Sequence, residues 1–479
     1  MTSSSNSKSE TAHVAIDLGA ESCRVSLLQR TQKDMSIEIV HRFPNAPIEQ
    51  EGRLFWDLET ICNGVTDGLR ACAARTSKGI ASVGVDGWAV DYVRLTNNDR
   101  AIRKPFCYRD ERTVRAEEEV HARISANRLY ELTGIQQLRI NTLYQLYADG
   151  LEGIDPRTPW INLPEFILLY LGGRRVSEYS NATHTSLVSL SSRSWSEEIM
   201  NVSGLALEAA PPVVPSGTEL GSMRDPLRLL AAFRETRLIA PACHDTASAI
   251  AGIPAEGNDW AFISSGTWSL VGTVLETPCV SDTARRLNFS NEGGVGGKTY
   301  FLKNVNGMWL LRQCIEHWHS NGQFWTVTQL IEQCESLHPP NYLFDVDDPE
   351  FLLPGDMPAR INRYCQNHGQ MPPVTKAAEM ANLIFHSLAA RYAQVLRDVS
   401  SVTGKRLKRL YIVGGGSNNS YLNSLTARTT GLEVLIGDSE SAAVGNCAIQ
   451  IAALSGDYSP DVGVSSDAVT KWAKAIGKR

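Results

Sequence analysis

Two short turns that combine glycine with small polar residues suggest a phosphate site. Residues 17–24 (DLGAESCR) place an acid, a glycine, a hydroxyl and an arginine together, and residues 264–267 (SSGT) offer further small donors. Glycine lets the main chain approach a ligand closely, and donors of this kind suit an anionic oxygen. Either segment alone would also fit an ordinary hairpin turn. Their pairing favours the phosphate site.

A third glycine turn, GGG at 414–416, lies between a predicted strand and a predicted helix start. A flat or anionic ligand could lie against a main chain that carries no side chains, near the helix N-terminus. The run is not the G-x-x-x-x-G-K-[ST] loop of P-loop proteins, and it lacks the G-x-G-x-x-G spacing of dinucleotide folds. A helix-entry turn without a ligand is the alternative.

A candidate general base follows the apolar run LIAPAC at 238–243. That run is expected to deliver His244, Asp245 and Thr246 to the end of a strand, where a carboxylate can take the proton of a hydroxyl. A helix N-cap formed by Asp245 or Thr246 is the alternative.

A second set of side chains, in GVDGWAVD, can line a polar ligand pocket. It comprises Asp86, Trp88 and Asp91, with Trp88 offering a flat face to a sugar. A tryptophan in a strand is more often part of the core.

Alternating apolar runs predict the elements that position these groups. Residues 13–29 read as two strands joined by a tight turn, and further strands follow at 36–43 and 81–87, with an amphipathic helix at 57–74 between them. The order strand, glycine turn, strand returns at 259–276, which predicts two halves built alike in an α/β protein.

The rest of the chain predicts an insertion and a helix-rich second half. Residues 104–200 lose the strand alternation and read as an Arg-, Tyr- and loop-rich insertion at the edge of the sheet. From Thr375 onward, apolar residues recur every three or four positions as far as Val399, which predicts a long core helix. A short strand at 410–413 then leads into the third glycine turn.

Composition excludes several classes of protein. The chain has 479 residues, 43% of them hydrophobic, which is enough for two or three domains. A formal charge of −6 argues against nucleic acid as a partner. Ten scattered cysteines, a polar N-terminus and apolar runs too short to span a bilayer predict a soluble cytoplasmic protein with reduced thiols and no membrane partner.

Several motifs together resemble the FGGY carbohydrate kinases, and within them the rhamnulokinases. These motifs are IDLGAESCRV, GVDGWAVDYV, NTLYQL, HDTASA, SSGTWSL and IVGGGSNN, in that order, and the resemblance runs from residue 16 to about 450. NTLYQL, HDTASA and SSGTWSL are its most specific pieces.

The resemblance implies two ribonuclease-H-like domains of the actin and hexokinase type, with an active-site cleft between them. It divides the chain into a disordered tail (1–12), an N-terminal domain (13–245) with a sugar-binding insertion (about 104–200), a nucleotide-binding C-terminal domain (246–460) and a C-terminal tail (461–479). A monomer or a homodimer is expected.

The resemblance also implies an ATP- and Mg²⁺-dependent kinase that phosphorylates the 1-hydroxyl of the ketose L-rhamnulose, with Asp245 as the base. Asp17 would hold Mg²⁺. The nucleotide would contact Ala20, Glu21, Ser22, Cys23, Arg24, Thr267, Arg312, Gly414, Gly415 and Gly416. The sugar would contact Ala89, His244, Thr246, Asn304, Trp88 and Asp91.

Four residues depart from the pattern expected for this family. Glu21 puts a negative charge where many FGGY kinases have Ser or Thr, Arg312 stands where a glutamine is expected, and Cys23 and Ala89 replace glycines of some relatives. A kinase for L-fuculose or a related ketose is one alternative. A non-catalytic, actin-like ATP-binding module is another, and it would leave Asp245 without a role.

Overall fold

The structure is a computed structural model that describes residues 11–31, 34–76 and 79–477. The first part of the chain forms β1 (Thr11–Leu18), β2 (Ser22–Arg30), β3 (Met35–Pro44), β4 (Ile48–Gln50), β5 (Arg53–Phe55), α1 (Leu58–Arg75), β6 (Ile80–Gly87) and β7 (Tyr92–Arg94). The predicted hairpin, third strand and first helix are all confirmed, and the side chain of Asp57 caps α1 by accepting the Thr60 N–H.

The predicted insertion, 104–200, is more helical than its sequence suggests. It and the segment after it form α2 (Thr113–His121), α3 (Ala126–Thr133), α4 (Thr142–Leu151), β8 (Trp160–Asn162), α5 (Leu163–Leu171), β9 (Ser177–Glu178), α6 (Tyr179–Thr183), β10 (Val188–Ser189), β11 (Ser194–Trp195), α7 (Glu197–Val202), β12 (Val213–Val214), β13 (Thr218–Ser222) and β14 (Arg237–Ala240). Every residue of α4 from Thr142 to Asp149 is buried, so this part of the helix has no exposed face.

The C-terminal half contains α8 (Asp245–Ala251), β15 (Trp260–Ser265), β16 (Trp268–Leu275), α9 (Asp282–Arg286), β17 (Ser290–Gly293), β18 (Thr299–Asn306), α10 (Trp309–Ser320), α11 (Val327–Cys334), α12 (Met357–Asn367), α13 (Ala377–Thr403), β19 (Arg409–Val413), α14 (Ser420–Thr430), β20 (Glu433–Ile436), α15 (Ser441–Leu454) and α16 (Ser466–Ile476). The predicted core helix is α13, and the periodic apolar positions from Ala377 to Val399 are buried.

The two halves share one sheet plan. The first sheet has six strands in the order β13-β14-β6-β1-β2-β3, and the second has six in the order β17-β18-β16-β15-β19-β20. The glycine-turn hairpin belongs to an antiparallel run of three strands in the first sheet and of four in the second. On the other side of the hairpin, parallel strands follow in both sheets, and β13 then closes the first sheet antiparallel to β14. The prediction of two α/β domains built alike is confirmed.

Both predicted tails include parts of the folded body. Residues 461–479 contain helix α16, which buries Val469, Ala473 and Ile476 and is therefore no simple tail. The guanidinium of Arg30 on β2 lies over the ring of Trp472, at 4.9 Å from its centroid. At the other end, Thr11 already belongs to β1, and residues 1–10 of the predicted tail lie outside the described residues.

Within the described ranges, no helix is both long enough and apolar enough to span a bilayer.

Candidate active site

A cavity of about 800 Å³ lies between the two sheets and receives side chains from both halves of the chain. The site residues predicted from the sequence that line it are Asp17, Ala20, Glu21, Ser22, Arg24, Trp88, Ala89, His244, Asp245, Thr246, Thr267, Asn304, Arg312, Gly414, Gly415 and Gly416. Cys23 and Asp91 do not line it. The three glycine turns and the predicted base therefore meet in one place.

In the turn between β1 and β2, the main chain at Gly19 lies close to the main chain at Ser22. A Cβ on Gly19 would lie 2.5 Å from the Ser22 carbonyl oxygen, so only glycine fits there. Asp17, at the end of β1, accepts a hydrogen bond of 2.7 Å from Arg24 Nη1. Asn45 Nδ2 donates to the Gly19 carbonyl at 3.0 Å and fixes the turn from outside.

Cys23 is a correction to the predicted set of nucleotide contacts. Successive side chains of a strand point to opposite faces, so Ser22 and Arg24 reach the cavity while Cys23 points into the core, where it is fully buried. Burial raises the pKa of its thiol. The predicted turn between the first two strands is present. Because β2 is pleated, the Cys23 side chain points away from the cavity that Ser22 and Arg24 line.

The second and third glycine turns pack against each other. A Cβ on Gly414 would lie 2.8 Å from the Ser265 carbonyl oxygen, and one on Gly416 would lie 2.1 Å from Ser265 Oγ. Gly414 also has a φ of +82°, a conformation that favours glycine. A Cβ on Gly415, in contrast, would have no neighbour within 4 Å. Gly415 is the member of the run that leaves open space beside the main chain.

Asp245 is the first residue of α8, and His244 precedes it at the N-cap position. The alternative interpretation of the sequence, an N-cap formed by Asp245 or Thr246, is wrong, because both residues lie inside the helix and no side chain caps it. The side chain is one-third exposed, and Oδ1 accepts the Thr246 N–H at 2.5 Å. Withdrawal from bulk water, together with the nearby carboxylate of Asp17, raises the pKa of Asp245 to about 6. A carboxylate with that pKa is ionised at neutral pH and can accept a proton.

His244 is buried beside this base, and two residues missed by the sequence reasoning surround it. Burial, together with the nearby His184, holds the pKa of His244 well below its usual range, so its imidazole is neutral. Its Nε2 lies 3.4 Å from Asp245 Oδ1, and its ring centroid is 4.0 Å from that of His184. His184 Nε2 in turn lies 2.9 Å from Glu292 Oε2. No spacing signal connects residues 184, 244 and 292.

Asp91 is a second correction, this time to the predicted set of sugar contacts. It does not line the cavity, and its carboxylate instead binds the indole N–H of Trp88. It is fully buried, and Oδ2 accepts hydrogen bonds from the indole N–H of Trp88 at 2.9 Å and of Trp56 at 2.5 Å, while Gln145 Nε2 donates to Oδ1 at 3.1 Å. Burial raises its pKa to about 6. Asp91 therefore fixes the orientation of a cavity wall.

The loop after β6 is held by the insertion. Val90 has a φ of +69°, which is rare for a β-branched residue. Its carbonyl accepts hydrogen bonds from Thr142 Oγ1 at 2.7 Å and Gln145 Nε2 at 3.2 Å, and both donors come from the NTLYQL segment. The insertion thus fixes the backbone on which Trp88 and Ala89 approach the cavity.

Asn304 reaches the cavity from β18 and is also held by the insertion. Gln136 Oε1 accepts hydrogen bonds from the Asn304 backbone N–H at 2.8 Å and from Asn304 Nδ2 at 3.0 Å. The sequence reasoning missed Gln136, because it gave no side chain of the insertion an individual role.

The carboxylates near the strand ends form a candidate cation site. Asp17 and Asp86 are register partners on the parallel strands β1 and β6, and Asp86 Oδ1 is buried without a hydrogen-bond partner. Burial and the neighbouring Asp17 raise the pKa of Asp86 well above its ordinary value. A cation beside these oxygens would lower the pKa of Asp86, and carboxylate oxygens are the ligands that Mg²⁺ prefers.

Comparison with protein families shows which family this chain matches. Residues 12–252 match the N-terminal domain and residues 261–454 the C-terminal domain of the FGGY family of carbohydrate kinases. The chain belongs to this family. Among curated relatives, a rhamnulokinase of Bacteroides thetaiotaomicron is 36% identical over 442 residues, covering 91% of this chain and 89% of the relative. A rhamnulokinase of Bacillus subtilis is 32% identical, covering 92% and 90%.

Solved structures show the same fold for this FGGY kinase. The xylulose kinase of Lactobacillus acidophilus superposes with a TM-score of 0.75 at 14% identity, covering 97% of this chain and 96% of that one. The Plasmodium falciparum glycerol kinase with ADP gives 0.74 at 13% identity, covering 98% and 93%. At these identities the likeness concerns the fold alone.

Proposed function

We propose that this FGGY kinase transfers the γ-phosphoryl group of ATP to the 1-hydroxyl of L-rhamnulose, giving L-rhamnulose 1-phosphate and ADP, a step of rhamnose metabolism. The curated relatives at 32–36% identity over about nine-tenths of the chain are rhamnulokinases, which favours this substrate. The observation that carries the chemistry is the position of Asp245, an ionisable carboxylate in the cavity where the glycine turns meet.

Asp245 acts as the general base in this mechanism. As the sugar oxygen forms its bond to the γ-phosphorus, the carboxylate takes the hydroxyl proton, and the bond from that phosphorus to the bridging oxygen breaks to release ADP. The neutral imidazole of His244 lies beside the base and orients the hydroxyl without competing for the proton at neutral pH. Phosphoryl transfer needs mainly positioning and charge neutralisation, which donors around the cavity supply.

The two ends of the cavity take different substrates in this proposal. Trp88, Ala89, His244, Thr246 and Asn304 surround the sugar, together with the insertion residues that support them. The nucleotide lies against the glycine turns at residues 17–24, 264–267 and 414–416, without the side chain of Cys23. The corresponding domains are 13–245, with the insertion at 104–200, and 246–460.

Mg²⁺ fits the carboxylates at the strand ends, and Asp17 would hold it, with Asp86 behind it. When bound, the ion offsets negative charge on the phosphates. Arg24, paired with Asp17 at 2.7 Å, keeps that carboxylate at the mouth of the first turn.

The decisive experiment is ADP release with ATP and Mg²⁺ over a panel of ketoses, aldoses and polyols. A site built to hydrogen-bond several hydroxyls rejects analogues that leave its buried polar groups unpaired. We expect kcat/KM for L-rhamnulose to exceed that for glycerol by orders of magnitude, with a smaller preference over L-fuculose, an epimer. Comparable turnover of glycerol or D-xylulose would overturn the rhamnulose assignment and leave the kinase chemistry in place.

A further inference from the structure

Glu21 makes a direct link across the cleft. It belongs to the turn between β1 and β2, and its carboxylate contacts two residues of the other half of the chain. Oε1 accepts a hydrogen bond of 2.9 Å from Thr267 Oγ1, and Oε2 forms an ion pair with Arg312 Nη1. The Glu21 and Arg312 side chains are each 38% exposed, so both face the open part of the cavity.

The two partners of Glu21 are donors that suit a phosphate. A hydroxyl and a guanidinium that converge on one carboxylate present the same pattern to any anionic oxygen cluster. Both residues line the cavity beside the glycine turns. A nucleotide phosphate that uses these donors must therefore compete with Glu21 for them.

We propose that Glu21 sets the nucleotide affinity of this kinase by occupying Arg312 and Thr267, and that it releases them when a nucleotide phosphate binds. This inference rests on the proposed function, because it assigns the competing anion to ATP or ADP. A phosphate group carries more charge and more acceptor oxygens than a carboxylate, so it displaces the weaker anion. The apparent nucleotide affinity is therefore lower, because only molecules in which Arg312 and Thr267 are free of Glu21 can offer these donors to a phosphate.

Charge repulsion between Glu21 and a phosphate predicts a different set of nucleotide affinities from competition for Arg312 and Thr267. If Glu21 only repelled phosphate, removing its charge would help nucleotide binding whether or not Arg312 were present. If Glu21 acts by holding Arg312 and Thr267, its removal helps much less once Arg312 is absent, because only the Thr267 hydroxyl is then released. A double-mutant cycle between the two positions separates these cases.

The test measures ADP and ATP dissociation constants by calorimetry, in Mg²⁺ buffer of low ionic strength, for wild type, Glu21→Gln, Arg312→Gln and the double variant. Because half-exposed pairs are modest in energy, we expect Glu21→Gln to tighten binding by about fivefold. Arg312→Gln should weaken binding, and adding Glu21→Gln to it should change little. Equal tightening in both backgrounds, or no tightening, would overturn the proposal.

Glu316→Gln is the matched control. Glu316 Oε1 accepts a hydrogen bond of 2.8 Å from Arg312 Nε, so the variant removes one negative charge from the same guanidinium. Glu316 lies on α10 with Arg312 and makes no link across the cleft in either of its contacts to Arg312 and Gln313. We expect the dissociation constant to change by less than the Glu21 effect, and an equal change would overturn the proposal.

The same measurements separate failure of this inference from failure of the proposed function. If wild type bound neither ADP nor ATP, the proposed kinase activity would fall, and the inference with it. If wild type bound nucleotide and Glu21→Gln bound it no more tightly, only the inference would fall. Unfolding curves establish that each variant is folded before its binding is compared.

Discussion

Asp245 illustrates how one residue serves the fold and the reaction together. Its main chain begins α8, while its side chain enters the cavity between the two sheets. The same environment that confines the carboxylate raises its pKa to about 6. That value lies close to working pH, which is where a general base is most effective.

The pH dependence of kcat/KM tests this pKa. Below pH 6 the carboxyl of Asp245 is protonated and cannot accept the hydroxyl proton, so we expect kcat/KM for the sugar to fall about tenfold per pH unit on the acid side. Burial lowers the pKa of His244, so its imidazole stays neutral at neutral pH, and Asp245 is the group expected to titrate near pH 6. A profile that stays flat down to pH 5, after controls for unfolding, would contradict the assignment of the base.

Asn304 tests the sugar end of the cavity. Asn304→Ala removes an amide that Gln136 orients, and the loss of about one hydrogen bond to a sugar hydroxyl should raise the KM for the ketose by about tenfold. The KM for ATP should stay nearly unchanged. Steady-state kinetics with each substrate varied in turn measure both values, and a larger effect on ATP would move the residue to the nucleotide end.

Among the elements, the strand hairpins could be predicted because apolar and polar residues alternate along them, which is the pattern of a strand with one buried face. Helix α13 was predictable because apolar residues recur every three or four positions from Ala377 to Val399, and these positions are buried. Helix α4 was missed because its residues from Thr142 to Asp149 are all buried, so no exposed polar face marks it as a helix. Gln136, His184 and Glu292 were missed because their contacts, Gln136 with Asn304 and His184 with His244 and Glu292, join distant segments that no local spacing connects.

The third glycine turn offers a matched pair of substitutions. Gly415→Val projects a side chain into open space, so we expect the melting temperature to change little and the ATP dissociation constant to rise at least tenfold. Gly416→Ala would place a Cβ against Ser265 Oγ, so we expect a lower melting temperature. Calorimetric titration and thermal unfolding measure the two effects. Unchanged ATP affinity in Gly415→Val would place the nucleotide elsewhere.

The whole molecule depends on contacts between its two halves as well as on the sheets within them. Helix α16 contributes apolar side chains to a core cluster that includes residues of both sheets, and its Trp472 meets Arg30 of the first sheet. The resemblance ended near residue 450, but Val469, Ala473 and Ile476 recur at helical spacing, and this apolar period is the signal that predicts a packed helix there.

The contribution of α16 can be measured directly. Val469→Ala removes two methyl-sized groups from a buried position and should lower the free energy of unfolding by about 1–2 kcal/mol. Lys471→Ala, on the exposed side of the same helix, should change it by less than about 0.5 kcal/mol. Chemical denaturation compares the two. Equal losses would show that α16 is not anchored through Val469.

The proposed reaction requires a cleft in which one carboxylate activates a sugar hydroxyl held beside a bound nucleotide. ADP formation from L-rhamnulose and ATP, measured side by side for wild type and Asp245→Asn, tests this most directly. Asparagine keeps the shape and removes the base, so turnover should fall by about 10²–10⁴-fold while calorimetry still detects sugar binding. Near-normal turnover by Asp245→Asn would contradict the account.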